Sequence, residues 1–177
     1  MKTEILGGFV VFSFGAPLCP WDADPEKYLI EITGKIKTWG EGDEPDVKVG
    51  TIRMKLLKLS EALRDGVTLY HVLDCHNIEE LYPVLFQKDG AFLPDLEIEA
   101  PYGDLLIIES VDLKARFEDT DLRHRAIESA IISCASVGIT LVRKGILGLG
   151  EVDRGDLGYN DLSFEDYLYR DNLHQNP

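Results

Sequence analysis

Cysteine is scarce and odd in number. Cys19, Cys75 and Cys134 have neither the even count of a disulfide framework nor the spacing of a metal cage. They read as reduced thiols of a cytoplasmic protein, with Cys134 on the core side of a helix. No apolar run approaches the ~20 residues that a membrane span needs. The start, Met1-Lys-Thr-Glu and then Gly7 to Phe14, has one Lys offset by Glu4 and no small-x-small cleavage site. A first strand is therefore expected there, not a signal peptide. Cations are short too: 18 Lys and Arg stand against 32 Asp and Glu, a formal net charge of −14. That argues against nucleic-acid phosphate or an anionic membrane as partner, and against an anionic cofactor unless positive charge is focused locally. The chain also lacks a Gly-x-Ser-x-Gly elbow, an intact P-loop, internal repeats and low-complexity tracts.

What is present suits an ordinary globular protein, 45% apolar and 28% charged over 177 residues. The length fits one domain. Residues 1–150 read as an α/β domain, and 151–177 as an acidic segment with a short helix. Gly8–Phe14 is the first expected strand. Tyr28–Trp39 and Val47–Leu57 alternate apolar with polar residues and predict an antiparallel hairpin with one buried face. Ser60 caps a short helix ending at Gly66, and Thr68 caps another over Leu69–Cys75. Asn77-Ile-Glu-Glu80 resembles a capping box opening a helix to Phe86, weakened by Pro83. Leu96 and Ile98, alternating with Glu97 and Glu99, suggest a short edge strand. Near the end, Ser163 caps an expected helix over Phe164–Leu173 that carries Tyr167 and Tyr169.

Residues 105–144 are the most informative. Leu105–Ile108 is a continuous apolar run, expected of a strand covered on both faces. Alternation then continues through Val111, Leu113, Ala115 and Phe117. A helix opens near Thr120 or Asp121, with Leu122, Ala126, Ile127, Ala130, Ile131, Cys134 and Val137 as its apolar stripe. Gly138 fits its C′ stop. Ile139, Leu141 and Val142 supply a parallel strand by right-handed crossover.

Within this βαβ unit, Arg123-His-Arg-Ala-Ile-Glu-Ser-Ala-Ile131 resembles the Arg-x-x-Gly-x-Gly/Ala signature of the GNAT acyltransferase superfamily. The resemblance spans roughly residues 48–145 and implies a mixed β-sheet with helices on both faces. It leaves no room for the superfamily's last strand before Pro177. It also implies acetyl-CoA held near Val111 and Leu113 and by Arg123, His124, Arg125, Ala126 and Glu128. The physical basis is an anion meeting helix N-terminal N–H groups. Ala126 replaces the first glycine, and Glu128 replaces the second small residue. Glu118, Asp119 and Asp121 add negative charge just upstream.

Glu109 occupies the strand on which the superfamily commonly places a general base, and the alternative is an outward polar residue at a strand bend. Tyr169, or Tyr167, fits the acid that protonates a departing thiolate. His71, Asp74, Cys75 and His76 resemble a metal half-site, but no second ligand pair appears elsewhere, so no metal is expected. Two functions stay open: an acyl-CoA-dependent N-acyltransferase acting on a small amine or protein acceptor, and a GNAT-like domain that has lost its cofactor and serves as a binding or assembly module. A homodimer is compatible with either.

Overall fold

The computed structural model describes residues 7–15, 24–40, 45–98, 102–118, 120–134, 138–147, 159–161 and 167–171. The Cys19–Trp21 loop, Val137 and the cap at Ser163 lie outside them. The chain is a mixed α+β fold. Its strands are β1 (Gly8–Gly15), β2 (Leu29–Thr38), β3 (Val47–Leu57), β4 (Asp104–Leu113), β5 (Gly138–Arg143), β6 (Asn160–Asp161) and β7 (Tyr167–Asp171). They form one sheet in the order β1-β2-β3-β4-β5-β7-β6. Among the described residues only β4 and β5 run parallel; the other neighbours are antiparallel.

The parallel pair sits in the middle because its side chains are apolar on both faces. Leu105, Leu106, Ile107 and Ile108 are all buried. Leu105 and Ile107, with Ile139 and Leu141, join one core beneath helices α1 (Leu59–Arg64), α2 (Leu69–Cys75) and α3 (Tyr82–Leu85). Leu106, Ile108 and Val142 join the other, beneath α4 (Leu122–Cys134). The stripe Leu122, Ala126, Ile127, Ala130 and Ile131 is the buried side of α4. A four-residue helix, α5 (Lys144–Leu147), follows β5 and adds Ile146 and Leu147 to this second core. No helix of the described residues is long and apolar enough to cross a membrane.

Several expectations need correction. Tyr167–Asp171 is a strand, not part of a helix. Leu168 and Arg170 face the α4 side while Tyr169 faces the other core, a period of two set by pairing with β5. Alternation in β4 stops at Leu113, and Ala115–Phe117 turns into a 3-10 segment after the Lys114 N–H donates to the Val49 carbonyl. Asn77 adopts φ 54° and is no cap; the helical path splits into a 3-10 turn, Glu79–Leu81, and α3. Pro83 lies in the first turn of α3, where its missing N–H costs nothing, so it starts that helix. Leu96 ends a 3-10 turn, not an edge strand, and Glu97 follows in the left-handed region at φ 51°. Ser60 is not the cap of α1; its N–H instead donates to the Asp104 carboxylate at 3.1 Å.

Gly138 opens β5 at φ +113°, where an added Cβ would lie 2.0 Å from the Asp104 carbonyl oxygen. No side chain fits there without moving β4. Gly138→Ala is expected to cost at least about 2 kcal/mol, read as a lowered urea midpoint with unchanged slope.

Candidate functional site

The site begins where regular pairing ends. β3 and β4 pair Met54 with Ile108 but Arg53 with Ser110, so Glu109 is the extra residue of a bulge. Parallel pairing between β4 and β5 stops at Ile108–Val142, although β4 continues to Leu113. Glu109 therefore stands at the point where β4 leaves its neighbour. Its carboxylate meets the Lys55 ammonium at 2.8 Å, both side chains partly exposed. Beside them Arg53 donates to Ser110 at 3.0 Å and to Asp112 at 3.1 Å. These groups share the sheet face that bears α1–α3, beyond the end of the apolar core.

Tyr169 lies on the same face. It is buried, and its hydroxyl donates to the Leu96 carbonyl at 3.3 Å. Burial, and then the Glu97 charge, raise its phenol above the usual range. Tyr169 pairs with Leu141, which pairs with Ile107. Sheet spacing then separates Tyr169 from Glu109 by two strands and two residues, roughly 12 Å between backbones. They cannot pass a proton directly, but they can flank a substrate.

His76, just after α2, approaches the same region. Its Nε2 is buried and has no hydrogen-bond partner. Burial, then the Lys55 charge, lower its pKa, opposed by Glu26, the Pro25 carbonyl and Glu31. The neutral imidazole is favoured, a state able to relay a proton.

The residues expected to hold a cofactor lie on the opposite face. Arg123 Nη1 donates to the Val111 carbonyl at 2.7 Å, and its other nitrogen pairs with Glu118. Arg123 thus pins the first turn of α4 to the end of β4. The Val111 and Leu113 side chains pack into the core beneath α4. Arg125 and Ala126 line a cleft of about 180 Å³ with Phe9, Val10, Ile36 and Leu122, and Arg125 also forms an ion pair with Asp121 at 3.8 Å. Glu128 does not face the start of the helix as a lone charge: it pairs with Arg170 of β7, which is almost fully buried, and His124 lies 3.9 Å away. Thr120 Oγ1 accepts from the Leu122 N–H at 3.4 Å, and the Arg125 N–H bonds to the Asp121 carbonyl.

Lys55, Arg170 and Tyr159 were not singled out by sequence. Lys55 had a signal in its place on the polar face of β3; Arg170 had none, since five residues do not separate a strand's period from a helix's. Tyr159 had none. It packs in the second core, with the Arg170 guanidinium 5.3 Å from its ring. Among the described residues no group of three or more His, Cys, Asp or Glu side chains converges as a metal would require. No protein-family model, curated protein or solved structure matches the chain.

Two outcomes follow from these pairs. Because the folded pKa of His76 is depressed, its contribution to stability is present above the ordinary histidine value of ~6.5 and is lost as pH falls through the lowered one. His76→Gln should flatten the stability–pH curve below ~6.5, as followed by urea melts at several pH values. Arg170→Met leaves Glu128 without its partner and should cost about 3 kcal/mol. Adding Glu128→Leu should recover more than half of that loss in the same melts.

Proposed function

We propose that this chain is a GNAT-like N-acyltransferase that moves an acyl group from an acyl-CoA thioester to an amine. The observation that carries the reading is Glu109, a carboxylate held at the bulge where β4 and β5 part. Two features that would oppose it in the sequence have a different meaning in the fold. The Glu128 charge is balanced by Arg170, so it does not stand unpaired against a phosphate. A last strand, β7, lies beside β5 and carries Tyr169. The segment from Lys114 to Arg125 holds four cations, Lys114, Arg116, Arg123 and Arg125, against three acids, Glu118, Asp119 and Asp121. In a chain of net charge −14 that is a local reversal of sign, and it fits a phosphate-bearing substrate.

Glu109, ion-paired with Lys55, is a carboxylate and takes the proton from the attacking amine nitrogen as that nitrogen bonds to the thioester carbonyl carbon. The carbon–sulfur bond then breaks. Tyr169, kept protonated by burial, gives its proton to the departing thiolate, and Glu109, whose side chain is partly exposed, releases the proton it took to solvent. Phosphates held at α4 and chemistry at Glu109 lie on opposite faces of the sheet. A substrate spanning both passes where β4–β5 pairing has ended.

A second reading is favoured by Arg123, whose guanidinium is engaged by Val111 and Glu118. A first turn already locked in this way suits a domain that binds protein instead of acyl-CoA. Calorimetric titration with acetyl-CoA and with CoA separates the two. Saturable binding, together with amine acylation that Glu109→Gln slows about 100-fold in kcat with little change in KM, supports the transferase. No heat and no thermal shift at millimolar ligand supports the binding module.

A further inference from the structure

β1 ends the sheet, and among the described residues no strand pairs with its outer edge. Its sequence, Gly-Phe-Val-Val-Phe-Ser-Phe-Gly from Gly8 to Gly15, contains no charge and no proline. Protected edges usually carry Lys, Pro, an inward charge or a bulge, because unpaired N–H and C=O groups recruit another strand. This edge has none of these. Its apolar side chains are also left open: Phe14 is 64% exposed and Val11 42%. The register of β1 against β2 is unbroken over all eight pairs, so no bulge interrupts the edge.

We propose that β1 pairs antiparallel with β1 of a second copy, joining two sheets into one continuous sheet across a two-fold axis. The partner must offer a strand, because the groups it satisfies are main-chain N–H and C=O. A second copy is favoured by charge. Two chains of net charge −14 repel one another across most surfaces, and β1 is an uncharged strip along which they can approach. Self-complementarity is the other argument. Opposed residues in an antiparallel pair point to the same face, so with the axis at Phe12 each Phe14 faces Val10 of the partner subunit. That register covers the most exposed phenylalanine on the α4 side and stacks Phe12 on its own copy.

A single strand pair buries less than the ~1,200 Å² of a standard interface. The dimer is therefore of micromolar affinity, and concentration controls it. This inference does not rest on the acyl-transfer reading, although Phe9 and Val10 of β1 line the cleft beside Arg125 and Ala126.

The test is sedimentation velocity of the full chain from about 1 to 200 μM, a range that brackets micromolar dissociation, for the parent and for Val11→Lys. Val11 is exposed, so the variant should retain the parent's circular dichroism and melting temperature. The expected result is a concentration-dependent dimer in the parent that Val11→Lys weakens at least tenfold, while Tyr70→Lys, an exposed site on α2, leaves it unchanged. A parent that stays monomeric throughout the range overturns the proposal. So does a dimer that Val11→Lys and Tyr70→Lys affect equally. Hydrogen exchange supplies a second reading that needs no variant: amides of β1 should gain protection with concentration, and protection gained elsewhere but not in β1 places the interface on another surface.

Discussion

The five-residue parallel ladder between β4 and β5, Asp104–Ile108 against Gly138–Val142, is the constraint on which the other elements depend. A parallel pair cannot be closed by a tight turn, so the chain must cross over one face, and α4 is the result. Because both faces of the ladder are apolar, each needs a cover. α4 provides one, and the α1–α3 group provides the other. Asp104 ties these layers together at the start of the ladder. Its backbone meets Gly138 so closely that no Cβ is tolerated, while its carboxylate accepts from the Ser60 N–H at the start of α1. One residue therefore fixes the first parallel pair and the entry to the helical layer.

The ladder is short, and the candidate chemistry lies at its end. Once pairing with β5 ceases, β4 has main-chain groups to satisfy and side chains with no opposite neighbour. The Arg123 bond to the Val111 carbonyl meets one of those needs. The bulge at Glu109 turns a carboxylate toward Lys55. A chain this acidic keeps its carboxylates in check locally: Glu109 with Lys55, Glu118 with Arg123, Glu128 with Arg170. The exposed pairs add little stability on their own. Glu128–Arg170 differs because the cation is almost wholly buried, so losing either partner leaves a charge that water reaches poorly.

What the sequence made legible was whatever depends on local period. The Leu105–Ile108 run, the Leu122–Ile131 stripe and the β2–β3 alternation each carry their burial in their spacing, and each forms the element expected of it. Tyr167-Leu-Tyr-Arg-Asp171 has too few residues to separate a period of two from one of 3.6; its strand state comes from β5, not from propensity. Asn77 and Glu97 escape for another reason, since a single left-handed residue leaves little trace in composition. In the candidate site, Glu109 and Tyr169 were singled out by residue type and by their place along the chain, Tyr169 on an expected helix that is a strand in the fold. The bulge that isolates Glu109 was not, because register belongs to a pair of strands. Nor was the Glu128–Arg170 pair, 42 residues apart in sequence, which turns an expected repulsive charge into a tie between layers.

β7 links these two levels. Arg170 and Tyr169 are consecutive, so they must face opposite sides of the sheet. Arg170 is held from the α4 side by Glu128, and Tyr169 is held from the other by the Leu96 carbonyl. A strand fixed from both faces cannot slide by one residue without exchanging a buried cation for a phenol. The ion pair therefore sets the register that presents Tyr169 to the face shared with Glu109. Stability and candidate chemistry meet in this five-residue strand. A change at Arg170 should consequently disturb the Tyr169 environment as well as the fold, although the two side chains lie on opposite faces of the sheet.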